Sequence, residues 1–322
     1  MTSVPEAVFI GGCPRSGTTL LASLLGALPG CVVTPESQFK HLPLQRLHRH
    51  PETQLSGQRL GRDWRNHLRF RHWGVELLEA DLEHTLDLQA FRALLLSLVF
   101  RMAGPQQQSL EALTWIDHTP QNIEFGLALC SLFPTAKLIH LVRDPRAVAA
   151  SLLPLNWGPQ SPAGIASLWS HRLAHGLALE TRLPDRILRV HYEELCLNPE
   201  GTLQHVATWL GLRVPANAAL LEPTRDFLPH YTLHQHQLIG ERPQVERISA
   251  WRQQLAPWQQ REIEGRVGEL MALMGYSFEA KPPEPTEHPP SLWQRRIWPL
   301  VRMLKGRIQH RWHQRRHAQN LQ

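Results

Sequence analysis

The apolar run Ala7-Val8-Phe9-Ile10 leads straight into "GGCPRSGTTL", Gly11 to Leu20. A short strand, a glycine-rich turn and an immediate helical pattern place the N-terminal part of the chain in a parallel α/β sheet. Gly12, Gly17, Thr18 and Thr19 fit the phosphate-loop spacing G-x-x-x-x-G-K-[ST] everywhere except at the lysine, where Thr18 stands. A cation appears inside the loop instead, at Arg15. Such a turn aims backbone N–H groups and a helix dipole at one spot, and Thr18, Thr19 and Arg15 add donors for an anion. Loss of the lysine speaks against the β/γ-phosphates of a nucleoside triphosphate.

The strand–loop–helix rhythm recurs. Leu113–Ile116, Ala136–Val142 and Arg186–Tyr192 read as further strands. Thr18–Leu28 reads as a helix, a second follows Asp144, and a third starts near Pro199. Asp144 is the expected N-cap of the second, with Pro145 at its first position. The predicted class is α/β, a P-loop-type parallel sheet flanked by helices. Residues 41–110, rich in His, Arg and Leu from His41 to Pro105, read as a helical insertion over the sheet. The main domain is expected to span 1–280, followed by a proline-rich linker at 281–290 and a basic helical tail at 291–322.

Charge is unevenly placed. The net +6 of the whole chain is outweighed by its tail, since 281–322 holds nine Lys/Arg against Glu284 and Glu287, leaving 1–280 near neutral. A nucleic-acid role for the whole chain therefore loses its support. In the tail, Trp293, Ile297, Val301, Leu304, Ile308 and Trp312 recur at helical steps between basic residues, as in a helix lying on an anionic membrane surface. Packing on the protein's own core, or on a second subunit, is the other reading. With 42% hydrophobic and 19% charged residues the chain is globular, and it shows no signal peptide or spanning run. Cys13, Cys31, Cys130 and Cys196 are scattered, which fits a reduced, cytoplasmic protein with peripheral membrane contact through the tail. With nineteen histidines, pairs such as His48/His50 and His234/His236 (with His230) arise by chance, and no metal is expected.

The third strand ends "LVRDPR", so Arg143 supplies a second cation at a strand's C-terminal end. "PRSGTT" followed by "LVRDPRAVAAS" resembles the sulfotransferases that use 3′-phosphoadenosine 5′-phosphosulfate (PAPS), and within them the bacterial and tyrosylprotein-type branch. The resemblance runs over residues 7–275 in motif order. It implies that Arg15, Ser16, Gly17, Thr18 and Thr19 hold the 5′-phosphosulfate, and Arg143 with Ser151 the 3′-phosphate. Tyr192, in "RVHYEEL", would lie near the adenosine. Arg247, Ser249 or Arg252 could also reach the phosphates. Glu36, in "VVTPESQF", stands where the family keeps its catalytic base, able to take the acceptor's proton as the new bond to sulfur forms. "WIDHTPQN" resembles the family's Asp/Glu-Lys-Thr-Pro segment with His118 in place of the lysine. His118 either assists the leaving group or the base, or caps the following helix with Thr119.

The implied function is sulfuryl transfer from PAPS, without metal, to a hydroxyl or amine. Carbohydrate or glycolipid is favoured by the many Trp and His residues, with peptide or small-molecule acceptors also open. The insertion would then cover the acceptor site. An atypical P-loop kinase and a catalytically idle nucleotide-binding tether are the alternatives.

Overall fold

Five strands form the central sheet of the computed structural model, which describes residues 5–104, 113–215, 223–229, 242–280 and 291. They are β1 (Ala7–Gly12), β2 (Cys31–Thr34), β5 (Thr114–Asp117), β6 (Lys137–Val142) and β7 (Ile187–His191), while β3 (Leu55–Ser56) and β4 (Thr85–Leu86) form a separate pair. The helices are α1 (Thr18–Gly26), α2 (His41–Arg49), α3 (Gly57–Arg65), α4 (Leu68–Arg71), α5 (Leu88–Ala103), α6 (Gly126–Leu132), α7 (Pro145–Leu152) and α8 (Pro162–Arg182). They continue with α9 (Tyr192–Leu197), α10 (Pro199–Leu210), α11 (Glu246–Ser249), α12 (Trp251–Gln254) and α13 (Pro257–Leu273).

The sheet order is β2-β5-β1-β6-β7, and the β1–β5, β1–β6 and β2–β5 ladders are parallel. The central strand β1 is apolar and buried along its whole length because both faces of the sheet are covered there. On β1, Ala7 and Phe9 point into one apolar cluster and Val8 and Ile10 into the other, with Trp115 and Ile116 of β5 divided in the same way. Each large side chain buried in these layers stabilises the fold by about 1.5–3 kcal/mol. The ends of β1, β2, β5 and β6 carry the glycine loop, Glu36, Asp117–Thr119 and Arg143 respectively. Those ends are where open parallel sheets hold ligands.

The chain divides into two compact units. The larger takes the described residues up to Gly12 and those within Gly17–Leu141 and His175–Pro243; the smaller takes Cys13–Ser16, Val142–Ala174 and the described residues from Gln244 on.

Most of the expected elements are present. The Asp144 carboxylate accepts from Arg146 N–H and caps α7, with Pro145 at its start. Between residues 41 and 104 the fold is helical as expected, but it also contains the short antiparallel pair β3–β4. Two residues per strand are too few to give a readable alternation. The linker 281–290, residues 292–322 with the tail's tryptophans, and His230, His234 and His236 lie outside the described residues. No described helix is long and apolar enough to cross a membrane.

Candidate functional site

In the larger unit, Gly17 precedes α1 with φ 98°, a conformation that favours glycine. A Cβ there would come within 2.6 Å of Tyr192 Cδ2, so the tyrosine ring lies against the loop's second glycine. Gly12 is equally constrained: at φ 154° its Cβ would meet Leu141 O at 2.2 Å. Thr18 and Thr19 are buried in the first turn of α1, which contains no acidic side chain to offset the helix's positive end.

Thr19 Oγ1 lies 3.5 Å from His118 Nδ1. His118 is 3% exposed, its Nε2 is buried without a protein partner, and its ring meets Phe227 edge-on. Burial pulls its pKa below the ordinary value, against the opposing pull of Glu36 and Asp117, while Arg69 adds to the lowering. The imidazole is therefore neutral at neutral pH. Thr119 makes no side-chain cap to the following turn; its hydroxyl donates to Asp117 Oδ1 at 2.6 Å. Of the two roles read for His118, the structure thus joins it to the loop and α1 rather than to a cap with Thr119.

Glu36 sits on a segment pinned by indoles. Trp115 Nε1 donates to Thr34 Oγ1 at 2.9 Å, Trp73 Nε1 to Pro35 O at 3.0 Å, and Trp64 Nε1 to Phe39 O at 3.2 Å. The Glu36 carboxylate accepts from Gln38 Nε2 at 2.6 Å and pairs with Arg69 Nη2 at 3.2 Å. It is about one-fifth exposed, enough for an acceptor to approach. Beneath it lies a buried network the sequence did not reveal. Lys40 Nζ donates to Asp117 Oδ2 at 2.6 Å, and Ser37 Oγ donates to the same oxygen. Burial would raise the Asp117 carboxyl, but Lys40's charge and the bonds from Lys40, Ser37 and Thr119 hold it well below the usual carboxylate range.

In the smaller unit, Arg15 has φ 69°, the one positive value among described non-glycine residues. Left-handed backbone at such a residue costs about 1–2 kcal/mol. Arg15 Nε donates to Ser151 Oγ at 3.0 Å, and Arg143 Nη1 donates to Arg15 O at 2.8 Å. Arg143 Nη2 donates to Arg247 O at 3.1 Å. Arg143 and Ser151 therefore share a cluster with Arg15, and Arg247 enters it through its backbone. Ser16 Oγ is buried there without a protein partner. Cys13 is buried, and burial pushes its thiol up to about 12, so it is inert packing rather than a nucleophile.

The expected residues thus fall into two groups. Gly17, Thr18, Thr19, Glu36, His118 and Tyr192 belong to the larger unit, and Arg15, Ser16, Arg143 and Ser151 to the smaller. Arg252 turns away to Glu279, with a bond of 2.6 Å from its Nε. Lys40, Asp117 and Arg69 were missed. Asp117 stood inside the quoted "WIDHTPQN", whereas nothing local to Lys40 or Arg69 signals a role. Among the described residues no group of three or more His, Cys, Asp or Glu side chains is arranged to hold a metal ion.

Residues 5–216 match the model of the "Sulfotransferase family". Protein-tyrosine sulfotransferase 1 of Danio rerio is 26% identical over 299 residues, covering 86% of this chain and 74% of that protein. Nodulation protein NoeE of Sinorhizobium fredii is 28% identical over 310 residues, covering 86% and 67%. Among solved structures, the sulfotransferase domain of the Synechococcus PCC 7002 olefin synthase superposes with TM-score 0.56 at 24% identity, covering 85% and 96%, a likeness of fold.

Proposed function

The chain belongs to the sulfotransferase family, whose sulfuryl donor is PAPS, and from that premise we propose how it works and on what. The atypical kinase and the idle tether are set aside by that membership. The acceptor is a hydroxyl or amine, taken as that of a carbohydrate or glycolipid. Glu36 removes its proton as the acceptor–sulfur bond forms; the bond from sulfur to the bridging oxygen breaks, and 3′-phosphoadenosine 5′-phosphate (PAP) departs. The observation that carries this reading is the placement of Glu36: a partly exposed carboxylate on a segment held by three indole donors, 3.2 Å from a cation. A base fixed in this way loses little freedom on reaching the transition state.

For the donor, Arg15, Ser16, Gly17, Thr18 and Thr19 are assigned to the 5′-phosphosulfate, Arg143 and Ser151 to the 3′-phosphate, and Tyr192 to the adenosine side. The unpartnered Ser16 hydroxyl and the acid-free first turn of α1 support the first assignment. Neutral His118 supplies polarity rather than a charge. The tail beyond residue 291 is assigned to an anionic membrane surface, and a liposome pull-down of the full chain without binding would remove that role.

A tyrosyl hydroxyl is the second acceptor reading. It is favoured by the Danio rerio relative and by Arg69 beside the base, which suits an acceptor flanked by acids. The buried state of Trp64, Trp73, Trp115, Trp169 and Trp251 takes most of the force from sugar stacking. The test is transfer of ³⁵S from PAPS to neutral and acidic oligosaccharides and to tyrosine peptides with acidic flanks. Glu36→Gln is expected to lower the rate about 10²- to 10⁴-fold while PAP binding stays intact. A retained rate would sink the general-base assignment, and the labelled product decides between the acceptors.

A further inference from the structure

The ammonium of Lys40 is fully buried. It donates to Ser37 Oγ at 2.5 Å, Asp117 Oδ2 at 2.6 Å and Asn122 Oδ1 at 2.9 Å. An ammonium has three donors and no acceptor, so these three oxygens satisfy it completely. Its remaining surroundings are His41 Nε2 at 3.2 Å and the Phe9 and Trp115 rings, centred 5.5 and 5.9 Å away. The three partners come from separate places in the chain. Ser37 follows Glu36, Asp117 precedes His118, and Asn122 also donates to Ile10 O of β1 at 3.3 Å.

A buried ion pair is a weak source of stability, because each ion costs several kcal/mol to dehydrate and an apolar replacement is often neutral or better. Its contribution is geometry. We propose that Lys40 is a positioning residue for sulfuryl transfer, tying the backbone at Glu36 to the backbone at His118 so that base and imidazole keep one fixed separation. This rests on the assignment of Glu36 and His118 to the acceptor side of the reaction.

The tie has an electrostatic consequence a purely structural lysine would lack. The charged groups acting on His118 are Glu36, Asp117 and Arg69, and Thr19 is its polar neighbour. Lys40 compensates Asp117. Without the ammonium, Asp117 still accepts from Thr119 N–H at 2.9 Å, Thr119 Oγ1 at 2.6 Å and Asn122 Nδ2 at 3.2 Å, bonds that favour its ionised form. Its charge then acts on the imidazole without the offset from Lys40, against Arg69 alone among the charged groups named, and His118 takes up a proton at higher pH.

The experiment compares wild type, Lys40→Met and Lys40→Met/Asp117→Asn in the full chain, with folded sites counted by calorimetric titration with PAP. One readout is PAP release from PAPS with water as acceptor. The other is the titration of the ¹⁵N-labelled His118 imidazole, assigned with His118→Gln. Lys40→Met is expected to lose about tenfold or more of the rate per folded site, as small misplacements of reacting groups do, and to move the His118 midpoint upward. In the double variant the midpoint returns toward wild type while the rate stays low. An unmoved midpoint in the single variant, or a wild-type rate per folded site in the double, overturns the proposal. If the single variant fails to fold, the neutral double variant carries the rate test by itself. Glu36→Gln is run alongside: full activity there defeats the general-base reading, while the midpoint still judges the tie.

Discussion

Arg146 offers the sharpest test of how the smaller unit is held together. It is 1% exposed. Its Nη2 donates to Asp144 Oδ2 at 2.7 Å, its Nε to Asp144 Oδ1 at 3.0 Å, and its Nη1 to Glu264 Oε1 at 2.5 Å. The guanidinium carbon lies 3.9 Å from the centre of the Trp251 ring. Arg146→Met keeps the stem and removes the charge that two buried carboxylates share. Each retains some solvation: Asp144 accepts from Arg146 N–H at 2.8 Å, and Glu264 from Glu279 and Ala280 N–H, both at 3.1 Å. Breaking a buried pair from one side costs about 3–5 kcal/mol, which lowers the folding constant by roughly two to nearly four orders of magnitude. Urea unfolding followed by far-UV circular dichroism should show that loss. Arg146→Met/Asp144→Asn/Glu264→Gln should recover most of it, since the carboxylates that Arg146 balanced are then neutral. Because Asp144 caps α7, and α7 carries Ser151, PAP affinity per folded molecule should also fall in the single variant. A single variant within about 1 kcal/mol of wild type would show that the carboxylates reach water, and the strut would be refuted.

Gly17→Ala forces a Cβ into left-handed backbone 2.6 Å from Tyr192, so PAP binding measured by calorimetry should be lost with a stability decrease of about 1–2 kcal/mol or more. Ser151→Ala removes the acceptor of Arg15 Nε; a hydrogen bond from a charged group, about 1.5–3 kcal/mol, predicts PAP binding weakened roughly 10- to 160-fold, and an unchanged Kd would count against the assignment of Ser151. His118 has a pKa lowered by burial, so its stabilising share is present above the ordinary value of 6.5 and lost as pH falls through the folded-state value. The Tm of wild type should therefore drop between pH 7 and 5 more steeply than that of His118→Gln, and parallel curves would contradict the burial-driven shift.

What the sequence made legible is local. The run from Ala7 to the second threonine of the loop, the cap at Asp144 and the helix starting at Pro199 each depend on residues within a few positions of one another. β1 extends two residues past Ile10 into the glycines, because Gly11 and Gly12 still pair with His140 and Leu141 of β6. Long-range pairing was hidden. Lys40 and Asp117 are separated by 77 positions, and Arg146 and Glu264 by 118, so nothing in either neighbourhood announces the partner. The setting of the tryptophans was hidden for a related reason. Composition records an indole but not which way it faces, and here Trp64, Trp73 and Trp115 turn their N–H groups onto the segment that carries Glu36.

The replacement of lysine by histidine at position 118 can now be set against the charges around it. Within the larger unit, Glu36 is matched by Arg69 and Asp117 by Lys40, so each carboxylate already has its cation. A permanent charge at 118 would be a third cation against two anions in a buried place, with desolvation opposing it. Histidine avoids that cost by staying neutral, and in the proposed assignment it would offer the departing phosphate a dipole rather than a full charge. Lys40 does not restore the missing charge, because its three donors are already committed to Ser37, Asp117 and Asn122. Arg15, always protonated, is the loop's own cation, and the proposed assignment gives it the charge stabilisation of the leaving group. Arg15→Gln should then depress transfer from PAPS more than His118→Gln does, with Glu36 intact in both. The reverse order of rates would return the lysine's role to position 118.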